Sequence, residues 1–125
     1  ADQTALHSKL FKMLVNDWRM HFNNPEMPFY YVQLSSINRP TWGAFRDAQR
    51  ELLAIPFTGM AVSSDVGHPT NVHPTEKWTV GKRLSSISLA NTYSKSITYS
   101  SHLLDFLNSC SAKWPFIFSG FSPSK

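Results

Sequence analysis

Apolar residues near the start of the chain recur at the spacing of a helix. Leu6, Leu10, Leu14 and Trp18 lie four residues apart, so they fall on one helical face, which Phe11, Val15 and Phe22 widen. We therefore predict a helix over residues 4–22 that buries this face against the core, with the polar side chains, Arg19 among them, lying largely off it. Asn23-Asn24-Pro25 ends the helix, because proline cannot continue it.

Two short apolar runs have the character of strands that are covered on both faces. Phe29 to Leu34 is nearly continuous in apolar and aromatic residues, and Gly59 to Ser64 is the second run. A third strand is predicted at Ser96 to Tyr99, because Ile97, Thr98 and Tyr99 favour β structure.

The segments between and after these strands are predicted to be helical. Thr41 is the expected N-cap of a helix over Trp42 to Ala54, and a third helix begins near Thr75 and reaches about Tyr93. The alternation of helices and strands predicts an α/β fold with a short parallel sheet flanked by helices. Two or three strands are few for this architecture. We therefore expect the chain to be the C-terminal part of a larger doubly wound domain.

The composition and charge of the chain argue against several classes of binding partner. The chain has 125 residues, of which 42% are hydrophobic and 14% aromatic, enough to form a packed core. The net charge of +4 comes from only 16% charged residues without a concentrated basic run, which argues against a nucleic-acid partner. No apolar stretch is long enough for a membrane span, so no membrane partner is predicted. The single cysteine, Cys110, excludes an internal disulfide and a cysteine-based zinc site.

Candidate chemistry lies after the second strand. Asp65, His68 and His73 occur within nine residues, on a loop that leads into the third helix. Ligands of open α/β sheets bind beyond the carboxyl ends of the strands, which is where this loop lies. The spacing permits acid–base chemistry by His73 with a carboxylate partner, a metal site formed by all three side chains, or a loop without function.

At this point the sequence resembles a known family, the sialate O-acetylesterases, which are carbohydrate esterases of the SGNH hydrolase superfamily. The resemblance covers roughly residues 5 to 105 and is specific because six short blocks match in order. The blocks are Pro28–Leu34, Trp42 with Phe45–Gln49, Thr58–Val62, Asp65–Gly67, Val72–Pro74 with Lys77, and Val80–Leu84.

The resemblance implies a partial flavodoxin-like, three-layer sandwich in residues 1–105, followed by an unassigned tail at 106–125. It implies removal of acetyl esters from sugars by a Ser-His-Asp mechanism with no cofactor, in which His73 is the base and Asp65 the orienting acid. The family's serine block and oxyanion donors have no counterpart in this sequence, so they are expected in an N-terminal part of the same domain. A secreted, periplasmic or lysosomal location fits the family, although the sequence itself leaves the compartment open.

Substrate contacts and one departure from the family pattern complete the sequence-based predictions. An acetylated carbohydrate is the expected substrate, with Gln33, Arg39, Trp42 and His68 as its contacts, although Gln33 and Trp42 also suit structural roles. Relatives often carry an acid two residues before the histidine, where this chain has Asn71, which cannot balance an imidazolium charge. A non-catalytic, glycan-binding relative is therefore the alternative.

Overall fold

The computed structural model describes residues 2–73 and 75–99. In chain order the helices and strands are α1 (Asp2–His21), β1 (Phe29–Val32), α2 (Trp42–Glu51), a 3₁₀ turn at Leu52–Ala54, β2 (Thr58–Ala61) and α3 (Lys77–Asn91). The three predicted helices and the first two predicted strands are confirmed.

The predicted strand at residues 96–99 is wrong, because these residues pair with no strand in the described part of the chain. Their β-favouring side chains were the whole basis of the prediction, and such preference gives a strand only where a sheet edge is available for pairing. The tail at residues 106–125 lies outside the described residues.

The two strands form a parallel sheet, in register from Phe29 beside Thr58 to Val32 beside Ala61. Parallel strands need a crossover connection, and α2 with its 3₁₀ turn supplies it. Both strands therefore end at the same edge of the sheet, and the segments that follow them begin side by side.

Helices cover the two faces of this sheet. On one face the Phe11 ring of α1 packs edge-on against Phe29 and Tyr31, at centroid distances of 5.5 and 4.8 Å. On the other face α3 approaches so closely that a Cβ added at Gly59 would lie 2.6 Å from Cγ2 of Ile87. The structure is therefore a layered α/β arrangement with a short parallel sheet flanked by helices, as predicted.

The buried face of α1 agrees with the prediction at Phe11 and Val15 and differs from it elsewhere. Leu6 and Leu10 are each 54% exposed and Trp18 is 47% exposed, whereas Val15 is fully buried and Arg19 is only 8% exposed. Because α1 is apolar around most of its circumference, periodicity alone did not determine which side faces the sheet. Burial of Arg19 is offset by hydrogen bonds, since its guanidinium donates to the carbonyl oxygens of Met27 at 3.1 Å and Pro56 at 2.7 Å. Within the described residues, no helix is both long and apolar enough to cross a membrane.

Candidate functional site

A cavity of about 330 Å³ opens beyond the carboxyl ends of β1 and β2. Residues that follow the two strands form one side of it, the loop before α3 forms another, and the start of α3 closes it. Its lining residues are Val32, Gln33, Leu34, Ser35, Ser63, Val72, His73, Lys77 and Val80. This is the place where open α/β sheets bind their ligands.

Hydrogen bonds fix the floor of this cavity. The Ser63 hydroxyl donates to the backbone carbonyl of Gln33 at 2.6 Å, and the backbone N–H of Gln33 donates to the backbone carbonyl of Ala61 at 2.9 Å. The Gln33 side chain donates through Nε2 to the carbonyl of Arg46 at 2.9 Å. Gln33 was predicted as a substrate contact, and the structure places it in the lining with its side-chain N–H group directed to α2.

His73 lies on the loop that borders the cavity. The Asn71 side chain accepts a hydrogen bond from the His73 backbone N–H at 2.9 Å, which fixes the backbone at that position. The Ser35 hydroxyl donates to the neighbouring Val72 carbonyl at 3.3 Å and ties the loop to the end of β1. In the described part of the chain, neither ring nitrogen of His73 has a hydrogen-bond partner, so both ring nitrogens are available to a group that enters the cavity.

His68 has a structural part in the same loop. Its Nδ1 accepts hydrogen bonds from the backbone N–H groups of Thr70 and Asn71, both at 3.2 Å, so the neutral ring carries its proton on Nε2. Gly67 packs so tightly that an added Cβ would lie 2.5 Å from the backbone N and O of Ser36. The loop is thereby held against the segment that follows β1. His68 is outside the lining of the cavity, and its predicted substrate contact stays a prediction.

Asp65 is bonded to Arg83 of α3. Both carboxylate oxygens accept hydrogen bonds from the guanidinium at 2.6 Å, and Arg83 also donates to the Val62 carbonyl at 2.7 Å. The hydrogen bonds to Arg83 lower the pKa of Asp65 to about 2. Among the described residues no hydrogen bond joins Asp65 to His73, and the role of Asp65 as the orienting acid stays a prediction.

The Asp65–Arg83 pair is expected to make stability pH-dependent in strong acid. A lowered pKa means that the stabilisation is complete above about pH 4 and is lost as the pH falls through about 2. Asp65→Asn should lower the free energy of unfolding at pH 7 by at most about 1 kcal/mol, since the pair is partly exposed, and should weaken the pH dependence between 4 and 2. Urea unfolding at pH 7, 4 and 2 measures this. Asp17→Asn on the exposed side of α1 is the control, and an identical pH profile for both variants would contradict the prediction.

Arg39 and Trp42 lie beside the cavity. The indole N–H of Trp42 donates to the carbonyl of Ser35, a lining residue, and the Arg39 guanidinium lies over the indole ring at 5.4 Å. Arg39 is exposed and, within residues 2–73 and 75–99, has no side-chain hydrogen bond or ion pair. Thr41 is the N-cap residue as predicted, but its side chain makes no capping bond and the first turn of α2 carries no acid. The N-terminus of α2 and the Arg39 cation therefore add positive potential at one place.

Sequence reasoning missed several residues of this site. Ser63 could have been proposed from its position just after β2. The pairing of Arg83 with Asp65 had no local signal, because the two residues are far apart in sequence and meet only when α3 packs on the sheet. The structure does not support the alternative of a metal site formed by Asp65, His68 and His73. The described residues contain no cluster of three or more His, Cys, Asp or Glu side chains able to hold an ion.

Comparisons with known proteins bear on the kind of site. No protein-family model matches the chain, and no curated protein does. Among solved structures, the chain is similar to the crystal structure of a carbohydrate acetylesterase from Xanthomonas citri, with a TM-score of 0.69 and 33% sequence identity. The similarity covers 74% of this chain and 23% of that chain, so this chain spans about a quarter of its length. The chain is thus related to a carbohydrate esterase and has a partial α/β esterase fold.

Proposed function

We propose that this chain supplies the catalytic histidine and the floor of a carbohydrate O-acetylesterase site of the sialate O-acetylesterase, SGNH type. One observation carries the proposal. The imidazole of His73 has no partner among the described residues and borders a cavity at the carboxyl ends of the parallel strands. The solved structure to which the chain is similar is a carbohydrate acetylesterase.

In the proposed mechanism His73 acts on a serine from an N-terminal part of the same domain. His73 takes the proton of the serine hydroxyl as the serine oxygen attacks the acetyl carbonyl, and the developing oxyanion needs donors that the same N-terminal part supplies. The sugar oxygen leaves with the proton from His73, and an acetyl-serine remains. Water, deprotonated by His73, then releases acetate and restores the serine.

The chain's own residues position the base in this mechanism. Asn71 fixes the backbone at His73, and Ser35 holds the neighbouring carbonyl of Val72. Asp65 and Arg83 join the segment after β2 to α3, which fixes the start of the loop that carries His73. A rate advantage from positioning requires reacting groups to be held within about 0.5 Å, and this set of bonds to both strands and a helix is suited to that.

The substrate is proposed to be an acetylated sugar that carries a carboxylate, such as sialic acid. Arg39 is the observation behind this choice. Every other described arginine donates a hydrogen bond to a carbonyl or a side-chain oxygen, whereas within the described residues the Arg39 guanidinium forms none and lies over the Trp42 ring. A guanidinium suits a carboxylate because it can donate two parallel hydrogen bonds.

Arg39→Gln should therefore change specificity. Loss of a charge-assisted hydrogen bond, worth about 1.5–3 kcal/mol, predicts a fall of roughly 10- to 100-fold in kcat/KM for O-acetylated sialic acid. The value for an acetylated neutral sugar should not change. An equal fall for both substrates, or no fall for either, would contradict the assignment of Arg39 to the carboxylate.

Acetate release tests the proposed activity itself. We expect the 125-residue chain alone to hydrolyse 4-nitrophenyl acetate no faster than its His73→Ala variant, and the polypeptide that joins it to a serine-bearing N-terminal part to hydrolyse acetylated sugars. Strong activity of the chain alone that His73→Ala abolishes would contradict the need for an N-terminal serine. Glycan binding by the whole polypeptide without acetate release would favour the glycan-binding alternative.

A further inference from the structure

Trp78 presents an unusual amount of aromatic surface to water. It lies in the first turn of α3 and is 82% exposed, the largest value for a large hydrophobic side chain in the described residues. It has no contact with another ring or with a cation in that part of the chain. A single exposed apolar residue is ordinary on a protein surface, so its exposure is informative only together with what surrounds it.

A second cavity, of about 400 Å³, lies against Trp78 and is distinct from the one that His73 borders. Tyr99 adds a second aromatic side chain to its wall. Lys82, Ser86 and Thr98 also line it, and within the described residues none of their side chains forms a hydrogen bond or ion pair. The cavity therefore combines two aromatic groups with an ammonium and two hydroxyl groups that are free to bind a ligand.

This combination suits a sugar ring. The π face of an indole is negative and attracts the slightly positive C–H groups on one face of a pyranose, while the hydroxyl groups at the edge of the sugar need donors and acceptors. A lipid would need an aliphatic wall, which this cavity lacks. We propose that the cavity beside Trp78 binds a sugar unit of a glycan chain, with stacking on Trp78 and hydrogen bonds to Lys82 and Ser86.

The position of the cavity extends the proposed function from single sugars to glycan chains. Lys77 and Val80 of α3 line the cavity at His73, whereas Trp78 and Lys82 line the second one. At about 100° per residue, Lys77 and Val80 lie on the opposite side of α3 from Lys82 and Ser86, so the helix lies between the two cavities. The inference is that a glycan of several units reaches both cavities around α3, with its acetylated unit at His73. This placement of the acetyl group rests on the proposed function, but binding at Trp78 does not.

Binding to the 125-residue chain tests this inference without any need for hydrolysis. The probes are xylohexaose, cellohexaose and sialyllactose, with xylose as the single-unit comparison, and calorimetry and NMR chemical shifts measure the affinity. Trp78→Ala should weaken oligosaccharide binding by roughly 2- to 12-fold, which corresponds to the loss of about 0.5–1.5 kcal/mol of aromatic stacking. Trp78→Phe should restore most of it, because phenylalanine keeps an aromatic face.

Tyr93→Ala is the matched control, because Tyr93 is an exposed aromatic residue just after the other end of α3. It should leave the affinity unchanged. No binding of any of the oligosaccharides, or equal binding by Trp78→Ala, would overturn the inference. Oligosaccharide binding that depends on Trp78 in a whole polypeptide without esterase activity would reject the proposed function and support this inference. An active esterase whose Trp78→Ala variant keeps its KM for an acetylated oligosaccharide would support the proposed function and reject this inference.

Discussion

If the proposed function holds, replacement of His73 by glutamine is expected to slow acetyl-ester hydrolysis by about 10²- to 10⁴-fold in a polypeptide that joins this chain to the proposed serine-bearing N-terminal part. Glutamine has similar size and can still form hydrogen bonds, but it cannot take up a proton and return it. The loss should therefore appear in kcat, while KM should change little because the cavity keeps its shape.

His21→Gln is the control for this prediction. His21 is exposed in the last turn of α1, where its ring contacts Phe22, and it lies outside the residues that line the cavity. Initial rates with 4-nitrophenyl acetate and with an acetylated sugar should be unchanged in this variant. Equal rates for the His73→Gln protein and the unaltered protein would remove His73 from the mechanism. The glycan affinity of both variants shows whether any loss reflects the chemistry rather than the fold.

The order and type of the helices and strands could be read from the sequence because their signals are local. Helical spacing in α1 and the short apolar runs of β1 and β2 each lie within a few consecutive residues. The choice of the buried side of α1 is not local. Leu10 and Val15 are both apolar, and only the position of the sheet decides that Val15 is enclosed while Leu10 is exposed.

The candidate site was predictable to the same limited extent. His73 follows β2 in sequence, so its place at the carboxyl end of the sheet follows from the direction of the strand. The partner of Asp65 depends on how α3 packs on the sheet. The sequence does not show that packing, so it does not show that Asp65 bonds to Arg83, 18 residues away, rather than to the nearer His73. The two acceptor bonds at Nδ1 of His68 likewise depend on a backbone turn that no periodicity reveals.

Truncation of Leu52 to alanine is expected to cost about 2–5 kcal/mol of the free energy of unfolding, a large part of a small domain's stability. Leu52 is 1% exposed and starts the 3₁₀ turn between α2 and β2, where its carbonyl also accepts the N–H of Ile55 at 3.0 Å. The variant loses buried apolar area and leaves a cavity at the point where the crossover enters the second strand. Leu10→Ala removes the same atoms from a side chain that is 54% exposed, and its cost should stay within about 0.5 kcal/mol. Urea unfolding of the two variants, followed by circular dichroism, measures the difference. Equal costs at the two leucines would mean that the outer side of α1 is buried in solution and that the layer order described above is incomplete.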